Sequence, residues 1–211
     1  MGRDQGALPP ARAVTGETMG DEPTRSGPRF IIGERVTLRR IERDDLPLVR
    51  RWLDDPELRG QIGARSPLSE AEAEEWFERV ASDPTRAWYV IVEDQHDRVV
   101  GEAGLLRMDP EWRTTDMTVI VGEPDAREKG YGTEAGRLLL DFAFQYMGFH
   151  RVAIGVVGFH EDALRFWERL GFRREGVQRD GYFLDGAFHD FVMMSILEDE
   201  WRAGQTARVG A

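Results

Sequence analysis

The chain has 211 residues, enough for one sizeable domain with a tail, and carries 39 acidic against 28 basic side chains for a formal charge of −11. That balance argues against nucleic acid as a partner, since phosphate backbones need a basic face, and makes a cationic substrate easier to accommodate. It has no cysteine, which removes disulfides, a thiol nucleophile and cysteine-ligated metal, and no apolar run approaches the ~18 residues of a membrane span, so the chain reads as a cytoplasmic protein without metal or membrane partner.

Residues 1–28 are rich in glycine and proline and poor in large apolar side chains, so they are expected to form a disordered tail. The folded domain is expected over 29–203, with a C-terminal tail over 204–211. Val36 and Leu38 alternate in a strand expected over 35–41. Asp44 and Asp45 supply N-cap chemistry for a helix carrying Leu46, Val49, Trp52 and Leu53, with Pro47 tolerated in its first turn. Residues 54–68 hold Pro56, Gly60, Gly63 and Pro67 and read as a loop, the kind of segment that often carries substrate contacts. Ser69 with Glu72 makes a capping box, and Ala73, Trp76, Phe77 and Val80 form one apolar stripe behind it. Residues 88–93 and 99–106 read as a hairpin, its first strand apolar on both faces and therefore central.

The stretch over 116–139 organises the rest. Met117, Val119 and Val121 fall on one face and Asp116, Thr118 and Ile120 on the other, the period of a strand. Arg127, Glu128, Lys129, Gly130, Tyr131, Gly132 and Thr133 follow as a turn whose two glycines permit unusual backbone angles and close approach of a ligand. Ala135, Leu138, Leu139, Phe142, Ala143 and Tyr146 then recur at helical spacing as far as Gly148, so backbone N–H groups and the positive end of a helix point into the turn. Such a turn either holds an anion or is a close strand-to-helix connection. It has neither the G-x-x-x-x-G-K-S/T loop nor the third glycine of a dinucleotide fingerprint. Val152 to Val157 form an apolar strand which a right-handed crossover makes the parallel neighbour of 116–121. A short helix with Ala163, Phe166, Trp167 and Leu170 ends at Gly171, and strands over 172–179 and 188–197 close the chain.

The pattern Arg127-x-x-Gly130-x-Gly132 directly after a strand resembles the acetyl-CoA-binding segment of the GNAT superfamily of N-acetyltransferases, R/Q-x-x-G-x-G/A. His160 to Phe172 resembles that family's N-x-x-A-x-x-x-Y-x-x-x-G-F segment, and Gly181 to Asp190 resembles the substrate-side hairpin of its spermidine and ribosomal-protein branch. The three occur in order across about residues 30–201. The resemblance implies the GNAT fold, an α/β domain with a mixed, mostly antiparallel sheet of six to seven strands flanked by helices and splayed between its fourth and fifth strands. It implies acetyl-CoA as co-substrate. Val119, Ile120 and Val121 would pair with the pantetheine arm, Arg127 to Thr133 would wrap the pyrophosphate, and His160 and Trp167 would flank the cofactor.

Two positions depart from the family pattern. His160 stands where asparagine is usual, and Trp167 where a tyrosine protonates the leaving thiolate; an indole N–H is not given up at useful rates, so Trp167 is no general acid. Without cysteine, direct attack by the amine is the simplest route. Asp116 is the first candidate base, with a structural partner such as Arg113 or Arg151 as its other reading, and Glu102 is the second, facing either the cleft or a costly burial. His160, Tyr182 and His189 are candidate acids or shuttles; the other reading of His160 is a helix cap or cofactor contact, and of Tyr182 and His189 hairpin packing. A main-chain N–H of Val119 or Val121 would polarise the thioester carbonyl. The expected activity is acetylation of a primary amine on a small cationic molecule such as a polyamine, an aminosugar or an aminoglycoside-like antibiotic. The alternatives are acetylation of a protein N-terminus and acyl-CoA binding without turnover. A homodimer or higher homo-oligomer is expected, since sheets in this family commonly pair edge to edge.

Overall fold

A computed structural model describes residues 28–62 and 66–209; the expected tail over 1–28, its last residue excepted, lies outside the described residues. The alternation read from the sequence builds eight strands, β1 (Ile31–Ile32), β2 (Val36–Arg40), β3 (Ala87–Glu93), β4 (Arg98–Asp109), β5 (Thr114–Val121), β6 (Arg151–Val157), β7 (Arg173–Leu184) and β8 (Ala187–Leu197). The strand beyond the expected six to seven is β1, too short to show a period. They form one sheet in the order β1-β2-β3-β4-β5-β6-β8-β7. Every pair is antiparallel except β5 and β6, which the crossover through α4 (Tyr131–Asp141) makes parallel.

Strands in the middle of the sheet feed two cores at once. Tyr89 and Ile91 of β3 join Met117, Leu139, Leu140 and Trp167 under α4 and α5 (Glu161–Leu170). Trp88, Val90 and Val92 join Trp52 and Val80 under α1 (Leu46–Asp54) and α3 (Glu70–Ser82). Burial on both faces is why β3 reads as continuously apolar. The capping box forms as its spacing requires: Ser69 Oγ accepts from Glu72 N at 3.2 Å, and Glu72 Oε2 accepts from Ser69 N at 2.8 Å. Gly171, at φ 105°, terminates α5 in the left-handed region.

Three segments differ from expectation. Residues 54–68 are not a simple loop: α2 (Pro56–Ile62) occupies their first half, started by Asp55, whose Oδ1 accepts from Leu58 N at 3.4 Å, with proline at the first helical position. The α4 helix loosens into a π-helical turn over Phe142–Tyr146, closed by Met147 N donating to Phe142 O at 3.1 Å, before Gly148 at φ 71° ends it. A last helix, α6 (Glu198–Val209), runs through position 204, where a tail was expected; Trp201 anchors it, its Nε1 donating to Asp141 at 2.8 Å. Among the described residues no helix is long and apolar enough to cross a membrane.

Candidate active site

The parallel ladder between β5 and β6 is short. Thr114, Thr115 and Asp116 pair with Arg151, Val152 and Ala153, and from Met117 and Ile154 onward the two strands are unpaired. On their outer sides both stay in register, Met117 to Val121 against β4 and Ile154 to Val157 against β8. The gap therefore opens one edge of each strand without loosening the rest of the sheet. A cavity of about 260 Å³ fills it. Val119, Val121, Ala163 and Trp167 line its α5 side, and Leu58, Ile62, Tyr182 and Phe191 line the side formed by α2 and the β7–β8 hairpin.

Glycines shape this space. Gly155 on β6 has no room for a side chain, since a Cβ there would lie 1.9 Å from the Phe191 ring, so the ring lies against the strand backbone beside the cavity. At the mouth, Glu128 (φ 62°) and Gly130 (φ 85°) both adopt left-handed backbone, curling the turn ahead of α4. A Cβ on Gly132 would sit 3.2 Å from Val121 Cγ2, 3.7 Å from Phe166 and 3.8 Å from Val119. Its hydrogen keeps the throat between β5 and α5 open.

The other turn residues are used differently. Arg127 does not stand over the turn; Nε donates to Val121 O and Nη2 to Gly122 O, both at 3.3 Å, and the guanidinium also meets Asp55 at 3.6 Å on the cavity wall. Tyr131 donates to Glu93 at 3.3 Å with the Arg35 guanidinium 5.5 Å from its ring, so it braces the turn against β3 and the residue that precedes β2. Lys129 is exposed beside the turn, and Thr133 is half-buried in the first turn of α4.

Of the candidate acids and bases, the structure brings Tyr182 to the cavity. Its hydroxyl donates to Gly60 O at 3.0 Å, tying the hairpin to α2. Asp116 lies on the last rung of the ladder, paired to Leu106 on one side and Ala153 on the other, with its carboxylate held by the Arg107 guanidinium. Its structural partner is thus Arg107, where Arg113 and Arg151 were the expected ones, and it is not part of the cavity wall. His189 faces Tyr182 across the hairpin and meets the Phe159 ring at 4.8 Å. His160 starts α5 through its main chain, its ring 4.5 Å from that of Phe159. Its Nε2 is buried without a hydrogen-bond partner among the described residues, and burial pushes the ring's pKa down toward the neutral form.

Glu102 takes the second of its two alternatives. It lies between Val90 and Ile120 on the α1–α3 face, 7% exposed, accepting from Trp88 Nε1 at 3.1 Å. Burial pushes its carboxyl up to about 7 from 4.5, the indole hydrogen bond offsetting part of the shift. Between those values the folded chain keeps a proton the unfolded chain has lost, so stability falls as pH rises through that window. Glu102→Gln is accordingly expected to be more stable than the parent at pH 8 by about 3 kcal/mol. The difference should vanish below pH 4.5. Urea unfolding at both ends of the window checks this.

Residues 35–173 match the acetyltransferase (GNAT) domain family. The chain belongs to the GNAT acetyltransferases. It is 30% identical over 170 residues to the SPbeta prophage-derived uncharacterized N-acetyltransferase YokL of Bacillus subtilis (strain 168), covering 80% of this chain and 93% of the relative. It is 24% identical over 170 residues to the spermidine N(1)-acetyltransferase of Vibrio cholerae, covering 81% and 97%. The fold is that of the Vibrio cholerae spermidine N-acetyltransferase solved in complex with CoA and spermine, at TM-score 0.76 and 22% identity over 81% of this chain and 99% of that one.

The co-substrate of a GNAT acetyltransferase is acetyl-CoA, and the residues present fit it. The Gly132 throat, the turn before α4 and the unpaired edges of β5 and β6 lead into one cavity whose lining is mixed, with Thr118, Arg127 and Tyr182 among aliphatic and aromatic side chains. Trp167, at the tyrosine position, is 5% exposed, packed edge-on against Phe166 and Phe172 at 4.9 and 5.0 Å, and lines the cavity. Leu58, Ile62 and Phe191 were missed in the sequence. Asp55-Pro56 with apolar residues four apart was the available signal for the first two, and Gly155 inside a strand for the third.

Proposed function

We propose that the chain transfers the acetyl group of acetyl-CoA to the primary amine of a small molecule, by direct attack inside the gap between β5 and β6. The observation that carries this is the three-rung ladder, which leaves the main-chain groups of Val119 and the N–H of Val121 without a partner on β6 beside the cavity, Val121 O being taken by Arg127 Nε. Those groups suit the pantetheine amides and the thioester carbonyl, a positioned N–H stabilising charge that develops on the carbonyl oxygen. The turn over 127–133 takes the pyrophosphate through main-chain donors, with Lys129 as the added charge; Arg127 shapes the wall instead. His160 offers Nε2 to the cofactor arm. The amine nitrogen bonds to the acetyl carbon, the carbon–sulfur bond breaks, the thiolate departs with the electron pair, and the amine proton goes to water.

Asp116 serves the sheet rather than the proton in this reading. Asp116→Asn is therefore expected to keep kcat/KM for a responsive amine within about threefold of the parent, whereas loss of a working base would cost about 100-fold or more. Trp167→Tyr is expected to cost about 1–2 kcal/mol of stability through reduced ring packing. It should leave the affinity for CoA near the parent value and, by supplying a phenol beside the leaving sulfur, raise kcat about tenfold. Calorimetric binding and steady-state rates separate the two effects.

The direct test incubates the purified chain with acetyl-CoA and a panel of monoamines, polyamines, aminoglycosides and N-terminal peptides, reading thiol release and product mass. Release with peptides alone would move the acceptor to protein N-termini. Tight binding of acetyl-CoA with no release from any acceptor would make the chain an acyl-CoA binder. Self-association belongs to the same proposal: β7 is the outer strand, and Val177, Phe183 and Phe188 on its hairpin are exposed, an edge suited to a second copy.

A further inference from the structure

The far side of the cavity has a chemical character of its own. Leu58 and Ile62 of α2, Thr118 and Ile120 of β5, and Tyr182 and Phe191 of the hairpin line it there. No described lining residue is a carboxylate, and the one charged side chain among them is the cation Arg127. The Tyr182 hydroxyl is already donating to Gly60 O. Asp55, the acid nearest Arg127, is turned to that guanidinium at 3.6 Å. The nearby acids have other duties: Asp116 holds Arg107, and Glu102 lies beneath Ile120 beside the Trp88 indole.

A polyamine carries a second ammonium a few carbons from the first. Inside this wall that charge would lose its water and find no carboxylate among the described lining residues, where the one cation, Arg127, already occupies Asp55, so desolvation is left uncompensated. The formal charge of −11 draws cations to the surface, but the surface is not where the nitrogen reacts. An alkyl or aryl body, in contrast, is matched by Leu58, Ile62 and Phe191, and a single amine can enter neutral.

We infer that the acceptor is a monoamine with an apolar body, selected by the wall of Leu58, Ile62, Ile120, Tyr182 and Phe191, in which no described residue is a carboxylate, and that polycations are poor substrates. This rests on the acetyl-transfer reading of the same cavity. The class departs from the polyamine, aminosugar or aminoglycoside-like acceptor expected from the sequence, and the residue types that set it sit mostly on α2 and the hairpin.

The test compares hexylamine with 1,6-diaminohexane, matched in length and differing by one ammonium. Hexylamine should exceed the diamine at least tenfold in kcat/KM, and Ile62→Glu, which puts a carboxylate on the half-buried end of α2, should narrow that ratio at least tenfold. A diamine that reacts as well as or better than hexylamine in the parent chain overturns the inference, as does a ratio unmoved in a folded Ile62→Glu variant. Should neither amine release thiol, the transferase reading is what fails. Calorimetric titration of both amines into CoA-loaded protein then still decides the selectivity: tighter hexylamine supports it, and an equal or tighter diamine overturns it.

Discussion

Asp45→Ala is expected to cost about 3–5 kcal/mol of stability, the range for removing one partner of a buried ion pair. Arg39 on β2 is 2% exposed and Asp45 4% exposed; the guanidinium donates to both carboxylate oxygens, at 2.7 and 2.8 Å. Asp45 also accepts from Glu42 N at 2.8 Å, which fixes the short turn leading into α1. The alanine chain would keep the charge in the interior without the carboxylate facing it, and would unfasten the start of the helix whose Trp52 lies against Gly122. The pair's net contribution is small in comparison, because both charges were taken out of water to make it. Replacing both residues by apolar ones of similar volume, Arg39→Met with Asp45→Leu, should therefore recover most of the loss. Urea unfolding of the single and double variants decides this, and a loss under about 1 kcal/mol in Asp45→Ala would mean that water reaches the guanidinium.

Gly132→Val is expected to weaken CoA binding about 100-fold, or ~2.7 kcal/mol, while leaving the fold intact. The position does not need glycine for its backbone, as the residue is in the first turn of α4 and is not among the glycines with positive φ. What it needs is the absence of a side chain: the Cβ alone would press on Val121 Cγ2, and the two methyls beyond it would fill the space bounded by Val119 and Phe166. Gly176→Val is the matched control. A Cβ there meets nothing within 4 Å, so CoA affinity should not change. Calorimetric titration with CoA, paired with circular dichroism, gives both answers. Undiminished affinity in Gly132→Val would remove the throat from the cofactor path.

Much of this architecture was legible because local chemistry and tertiary structure agree. Ser69 and Glu72 cap α3, Gly171 ends α5, and Gly130 takes the left-handed backbone expected of the turn, although Gly132 is helical and Glu128 takes the other left-handed position. The parallel neighbourhood of β5 and β6 followed from handedness. Where partners far along the chain decide, the local sequence carries little signal. The α2 helix is seven residues with two helix-disfavouring ones, held by Leu58 and Ile62 packing inward and by the Tyr182 hydroxyl at Gly60 O, from a strand 122 positions away. The alternation of β5 correctly put Asp116 on the same face as Thr118 and Ile120, but nothing local says at which rung β6 departs, and that rung separates Asp116 from the cavity. Arg127 was matched to a motif by position, while its direction was set by the carbonyls at the end of β5.

The sheet amounts to two plates, one of β1 to β5 and one of β6, β8 and β7, stitched at three rungs near one margin. Between the plates the seam is incomplete in the polypeptide, so a thioester carrier lying along it supplies mortar that the chain lacks. Occupancy then bears on the cohesion of the whole domain, and the melting temperature should climb with the logarithm of coenzyme concentration once that exceeds the dissociation constant.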